Sequence, residues 1–272
     1  MKHCGASMSV PAATPDRPAW IPADLYPFED RYAELDGSRV HYVEEGSGPP
    51  LLLLHGNPAW SFLYREIIKG LAGSYRCIAV DYPGFGLSRP APGYAFTPAE
   101  HAHVIEQLIL QLDLNEVTMM VQDWGGPIGF AAATRHPERF AAFIIGNTWA
   151  WPKADPGTQL FSRLLGGPLG SYLILRRNFF IENILANNVK LRTLPEQVMD
   201  AYRGPFPTAE SRRPMHGFRA RSLRADHFWP RSSAACRRLP SDRRCSSGRR
   251  RTSPSASPSG GAGRRFSRTT TR

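Results

Sequence analysis

The sequence predicts an α/β fold with a mostly parallel central sheet, helices on both of its faces and a helical cap over one rim. Three observations carry that prediction. Short apolar runs alternate with amphipathic helical stretches over residues 38–146. One of those runs stops at a sharp Gly-rich turn, Gln122-Asp123-Trp124-Gly125-Gly126. From Trp151 to about Pro214 the alternation ceases and only helical patterns follow. At 272 residues the chain is long enough for one sizeable core.

Taken in order, Ser38–Glu45 (SRVHYVEE) alternates apolar and polar residues and reads as an outer antiparallel strand. Pro50–Leu54 (PLLLL) is a run of the kind buried on both faces in a parallel sheet, and it leads into His55-Gly56-Asn57-Pro58. Ser61–Leu71 has helical spacing with Ser61 as its cap. Arg76–Val80 is the next strand, followed by a Gly/Pro-rich turn from Asp81 to Ser88. Thr97–Leu114 is an amphipathic helix opened by Thr97-Pro98. Glu116–Val121 is a strand running into the turn at Asp123, Pro127–His136 a helix of small residues, and Phe140–Gly146 (FAAFIIG) a further buried strand. Leu160–Arg177, Ile181–Ala186 and Leu194–Arg203 are the helices of the insertion, which follows a strand's carboxyl end, where a lid would cover a site. The chain thus divides into a leader over residues 1–24, loosest from Met1 to about Pro18, a core over 25–150, a cap over 151–217 and a tail over 218–272.

The formal charge of +11 raises the question of nucleic-acid binding, and its distribution answers it. Residues 219–272 hold 15 Arg and two acids, a net +13, whereas the rest of the chain is slightly acidic. The tail is rich in Arg, Ser, Pro, Ala and Gly and lacks apolar periodicity. It reads either as a basic segment for nucleic acid or anionic membrane, or as the product of a GC-rich gene translated out of frame. Codons permitted by Arg250–Arg265 give PDIAFREPERRRWEA in a shifted frame, and Phe218–Arg231 permits PREILAGRPFLAEV. Protein-like strings from two windows favour a frameshift near Phe218, so no nucleic-acid partner is expected. No apolar run approaches the ~18 residues of a membrane span, and the N-terminus lacks a secretory apolar core. Cys4, Cys77, Cys236 and Cys245 have neither zinc nor disulfide-framework spacing, and Cys77 reads as a core residue. No membrane association and a cytoplasmic location are expected.

The strand–turn–helix around Asp123 carries the chemistry. Such an elbow needs small neighbours, which Gly125 and Gly126 supply. A carboxylate at this point can displace a leaving group at saturated carbon, or open an epoxide, without first losing a proton. A lone Asp at a strand–helix junction is otherwise a helix cap, and the Trp-Gly-Gly context with two further motifs weighs against that reading here. HGNPAWSFLYR (55–65), DYPGFGLS (81–88), VQDWGGPIGF (121–130) and NTWAWP (147–152) stand in the order and spacing of the haloalkane dehalogenases, a family of the α/β-hydrolase fold that the chain resembles over residues 25–217.

The resemblance implies that Asp123 attacks the halogen-bearing carbon, that the Trp124 indole N–H and the Asn57 amide hold the departing halide, and that neighbouring backbone N–H groups form an oxyanion hole. It implies a small halogenated hydrocarbon, water and halide as partners, with no cofactor, no metal and a monomeric chain. It also implies a base and an acid that no residue of this frame supplies in place, together with the sheet's last two strands. His55 reads as a loop-fixing residue, His136 as a helix C-cap, and His41, His101 and His103 as remote from the elbow. The alternatives are an epoxide hydrolase, which would need paired lid tyrosines where the lid offers Tyr172 and Tyr202, and a catalytically dead scaffold.

Overall fold

The structure, a computed structural model, describes residues 17–150, 156–188 and 193–222. Expectations for residues 1–16, for Trp151 and Pro152, and for the tail from 223 onward lie outside those residues. Six strands form one sheet: β1 (Arg31–Leu35), β2 (Ser38–Glu45), β3 (Pro50–Leu54), β4 (Arg76–Val80), β5 (Val117–Asp123) and β6 (Phe140–Thr148). Their order is β1-β2-β4-β3-β5-β6. β1 and β2 join antiparallel, β2 continues antiparallel onto β4, and β4, β3, β5 and β6 are mutually parallel. β2 is therefore not the outer strand. β1, whose five residues carry too little pattern to be read from sequence, lies outside it.

Leu51–Leu54 of β3 are fully buried, as a run covered on both faces requires. β6 departs from the expectation of a buried strand. Neighbouring residues project to opposite faces, and Ile144 and Ile145 are 44% and 45% exposed, so both faces of β6 lie open. Among the described residues β6 pairs on one side only, with β5.

The first helical stretch is a 3-10 turn (Ser61–Tyr64) leading into α1 (Arg65–Leu71). Ser61 is not a cap: its hydroxyl shares a 2.6 Å hydrogen bond with the Tyr26 hydroxyl. α2 (Pro98–Gln111) opens on a full capping box, with Thr97 and Glu100 satisfying each other's backbone N–H groups. α3 (Gly125–Ala133) starts directly after the turn at Asp123. In the cap, Gly167-Pro168 breaks the expected single helix into α4 (Pro156–Gly166) and α5 (Pro168–Arg177). A π-helical turn (Phe180–Leu185) runs into the short α6 (Ala186–Asn188), and α7 (Glu196–Arg203) follows. α8 (Arg213–Ser222) crosses Phe218, where the composition changes. Residues 17–24, assigned to the leader from sequence, include Arg17, which pairs with Asp30, Trp20, whose ring lies edge-on to Trp60 at 5.6 Å, and the buried Ile21.

Candidate active site

The strand order fixes where a site belongs. From β3 the chain winds outward to β4 on one side, then crosses back to β5 and β6 on the other. The carboxyl ends of β3 and β5 therefore diverge at a switch point, the crevice where α/β sheets hold ligands. The loop after β3 carries Asn57 and the turn after β5 carries Asp123, and the two meet: the Asn57 backbone N–H donates to Asp123 Oδ2 at 2.9 Å.

Asp123 sits at φ +49°, a left-handed conformation that a non-glycine residue adopts only when its surroundings enforce it. The enforcement is visible in three glycines. A Cβ on Gly56 would overlap the Asp123 side chain, one on Gly125 the Leu54 carbonyl oxygen, and one on Gly126 the Thr148 hydroxyl. Thr148 in turn donates to the Asp123 carbonyl at 2.5 Å, pinning the elbow from β6. The α3 N-terminus, with its positive dipole end, follows immediately and favours a carboxylate there.

Trp124 is 6% exposed and meets Trp149 edge-to-face at 5.1 Å. The Asn57 side chain donates through Nδ2 to the Met215 carbonyl of α8 at 3.0 Å. A primary amide carries two N–H groups, so this bond orients the amide and leaves one N–H over. The structure thus brings Asn57 to Asp123, with Trp124 the next residue of the same turn. Thr148 and the Met215 carbonyl were not singled out from sequence. Thr148 lies inside the quoted NTWAWP motif, but a backbone carbonyl gives no sequence signal.

The described histidines divide by environment. His55 is buried; its Nδ1–H donates to the Gly56 carbonyl at 2.9 Å and its Nε2 accepts from the Tyr82 N–H at 3.3 Å. Burial pushes its pKa down to about 4, against the partial support of Asp81 and the Gly56 carbonyl, so it is a neutral tie between loops. His136 Nε2 lies 2.9 Å from Glu106, joining the end of α3 to α2 instead of capping it. His103 lies exposed on α2, and His101 packs among Tyr82, Phe85 and Tyr94. His216 follows Met215 on α8; its Nε2 is buried with no hydrogen-bond partner among the described residues, and burial lowers its pKa.

His41 belongs to a buried chain of charges that sequence did not reveal. Its Nδ1 is 2.7 Å from Asp81 and its Nε2 3.0 Å from Asp30, which Arg17 grips through two N–H groups. Asp81 also accepts from the Ser61 and Leu87 backbone N–H groups at 2.7 and 3.0 Å. The Gly/Pro-rich turn after β4 is therefore organised around a carboxylate; a Cβ on Gly86 would overlap it.

Tyr172 is exposed on α5, whereas Tyr202 of α7 is buried edge-on to Phe62 at 5.4 Å. Two tyrosines so placed do not make the shared donor pair that epoxide opening would require. Among the described residues there is no cluster of three metal-ligating side chains, and no helix is long and apolar enough to cross a membrane.

Comparison with known proteins agrees with this geometry. The model of the alpha/beta hydrolase fold family matches residues 49–180. Haloalkane dehalogenase 2 of Mycobacterium bovis is 46% identical over 189 residues, covering 70% of this chain and 66% of that protein. A cis-3-alkyl-4-alkyloxetan-2-one decarboxylase of Shewanella oneidensis is 35% identical over 187 residues, covering 67% of this chain and 59% of that protein. The crystal structure of haloalkane dehalogenase DbeA from Bradyrhizobium elkani superposes with a TM-score of 0.68 at 28% identity, covering 77% of this chain and 76% of that one. The chain spans just under two thirds of the length of the curated relatives it matches.

Proposed function

Because this chain belongs to the haloalkane dehalogenase family of the α/β-hydrolase fold, we propose that it cleaves carbon–halogen bonds, with Asp123 as nucleophile and Asn57 and Trp124 as the halide's donors. The observation that carries this reading is the strained Asp123 held by the Asn57 N–H at the switch point of the sheet. The hydrogen bond falls on Oδ2 and lowers that oxygen's nucleophilicity, so Oδ1 attacks. It forms the C–O bond while the C–X bond breaks and the halide leaves with the electron pair. Asn57 and Trp124 supply neutral donors beside the carboxylate, where charge grows on the halogen, and a fixed donor in a dry site lowers that barrier without reorganising. In the alkyl ester Oδ2 becomes the carbonyl oxygen, already on the Asn57 N–H, which then serves as one member of an oxyanion hole. The substrate is a small halogenated hydrocarbon, and no cofactor takes part.

Completing the cycle requires water to add to the ester, expel the alcohol and lose a proton to a base. His55 is committed at both nitrogens and His41 is locked between two carboxylates. Among the described residues neither of these two can take that proton, and on this proposal alkylation outruns hydrolysis. After incubation with a haloalkane, intact-mass spectrometry should find one alkyl group per chain, digestion should place it on the Asp123 peptide, and halide release should stop near one equivalent. Asp123→Asn should remove both signals. Folded protein giving neither adduct nor halide would overturn the assignment. Sustained halide release would overturn the stalled cycle alone, and His216→Ala would then test the imidazole next to Met215, whose carbonyl orients the Asn57 amide.

A further inference from the structure

A cleft of about 830 Å³ opens between residues 19–22, the carboxyl end of α5 and the segment after α7, and none of Asn57, Asp123 or Trp124 lines it. Its size suits a small organic molecule. Trp20 and Pro207 give it an apolar wall, and four arginines but only two acids, Glu182 and Asp200, line it. Both acids are already taken by Arg203, at 2.9 and 3.0 Å. Arg212 donates to three backbone carbonyls, those of Phe206, Leu175 and Pro207, at 2.9, 2.9 and 3.1 Å. Those carbonyls hold its guanidinium fork in place without answering its charge. Arg176 and Arg177 stand exposed at the rim and form no ion pair among the described residues.

Asn178 supplies a second, independent sign of a ligand. It ends α5 at φ +50°, which accounts for an asparagine at that position. The left-handed backbone does not account for the side chain. Asn178 is 7% exposed and lines the cleft, yet its Oδ1 is buried without a hydrogen-bond donor among the described residues. Buried acceptors are almost always satisfied.

We propose that this cleft is a binding site for a small hydroxylated organic acid with a flat apolar body. The carboxylate lies against Arg212, Arg176 and Arg177, the body against Trp20 and Pro207, and the hydroxyl donates to Asn178 Oδ1. The inference rests on these residues alone and is independent of the chemistry at Asp123.

The probe is 4-hydroxybenzoate, titrated calorimetrically into the soluble full-length chain, with neutral 4-hydroxybenzamide as control. The expected result is saturable binding that weakens as salt rises and falls at least tenfold for the amide. Asn178→Gly keeps the left-handed turn, which glycine adopts freely, and should weaken binding by roughly tenfold, the usual size of one lost hydrogen bond. Should that variant fold poorly, Arg177→Gln at the exposed rim tests the cation arm and should weaken binding and flatten its salt dependence. Absence of saturable binding, equal affinity for acid and amide, or unchanged affinity in a well-folded Asn178→Gly chain would each overturn the proposal.

Discussion

At the scale of single residues, the elbow is defined by what its neighbours cannot be. Gly126→Ala would put a methyl group on the Thr148 hydroxyl, and Gly56→Ala would put one on Asp123 itself. The first must displace the Thr148 side chain from the Asp123 carbonyl and the second must displace the nucleophile, so each variant should lose ~1–3 kcal/mol of stability. Denaturant melts would read this, and a melt matching the parent would show that the elbow is looser than described. Asn57 holds a different kind of responsibility, because its amide is aimed by the Met215 carbonyl of α8. Asn57→Ala should slow the alkylation step by about 10²–10³-fold, the usual effect of removing one preorganised donor, while leaving the Asn57 backbone bond to Asp123 intact. Single-turnover halide release measures it. A rate within a few-fold of the parent would return the halide to other donors. These residues were legible because a Gly-rich turn and a His-Gly-Asn-Pro loop leave local marks in the sequence. Thr148 and α8 were not, since their roles arise from strand adjacency and a main-chain carbonyl.

At the scale of elements, the antiparallel edge of the sheet depends on buried charge. Burial disfavours the charged forms of Asp30, His41 and Asp81, but their mutual pairing and Arg17 outweigh it. Asp30 is held down at about 2, Asp81 lies below the usual carboxylate range, and His41 is raised. Carboxylates lowered in the folded state add stability that is complete above roughly pH 4 and lost as pH falls toward 2. A raised histidine adds stability that is complete below about pH 6.5 and lost as pH climbs through its folded value. The network's contribution should therefore be greatest between about pH 4 and 6.5. Urea midpoints of the parent minus those of His41→Gln, taken from pH 2 to pH 9, isolate it. A difference that is flat across that range would mean the imidazole and carboxylates do not titrate with folding. Sequence showed β2 as a strand by its alternation, but neither that His41 faces inward nor that β1 covers it. Charges 11, 13 and 40 residues apart carry no periodic signal. Cap helices were read with correct positions and wrong joints, because apolar spacing persists through Gly167-Pro168 while the backbone does not.

At the scale of the whole molecule, the asymmetry of the sheet is the governing feature. β1 closes one side with a short antiparallel strand, while β6 presents nine uncharged residues on the other. Sheet edges in soluble proteins are guarded by charges, prolines or bulges turned outward, and FAAFIIGNT has no charge and no proline. Ile144 and Ile145 leave apolar surface open on both faces of that edge, where a longer sheet would be flanked by helices. The arginine-rich composition after Phe218 offers no apolar strand to cover it. We infer that residues 219–272 are read out of frame. Sequencing the coding DNA around Phe218 should reveal a shifted frame continuing into apolar strand-like runs and a histidine-bearing loop, and an early stop there would refute it. The same reasoning gives the physical behaviour of the present chain. A monomer requires guarded sheet edges, and an open apolar edge next to uncovered isoleucines favours strand-to-strand association. Sedimentation velocity should show mass rising with concentration. Ile145→Lys places a charge on that edge and should suppress association while leaving the alkylation of Asp123 measurable. A parent chain that stays monomeric at every concentration, with a sharp cooperative melt, would show that some segment after Ser222 closes the edge despite its composition.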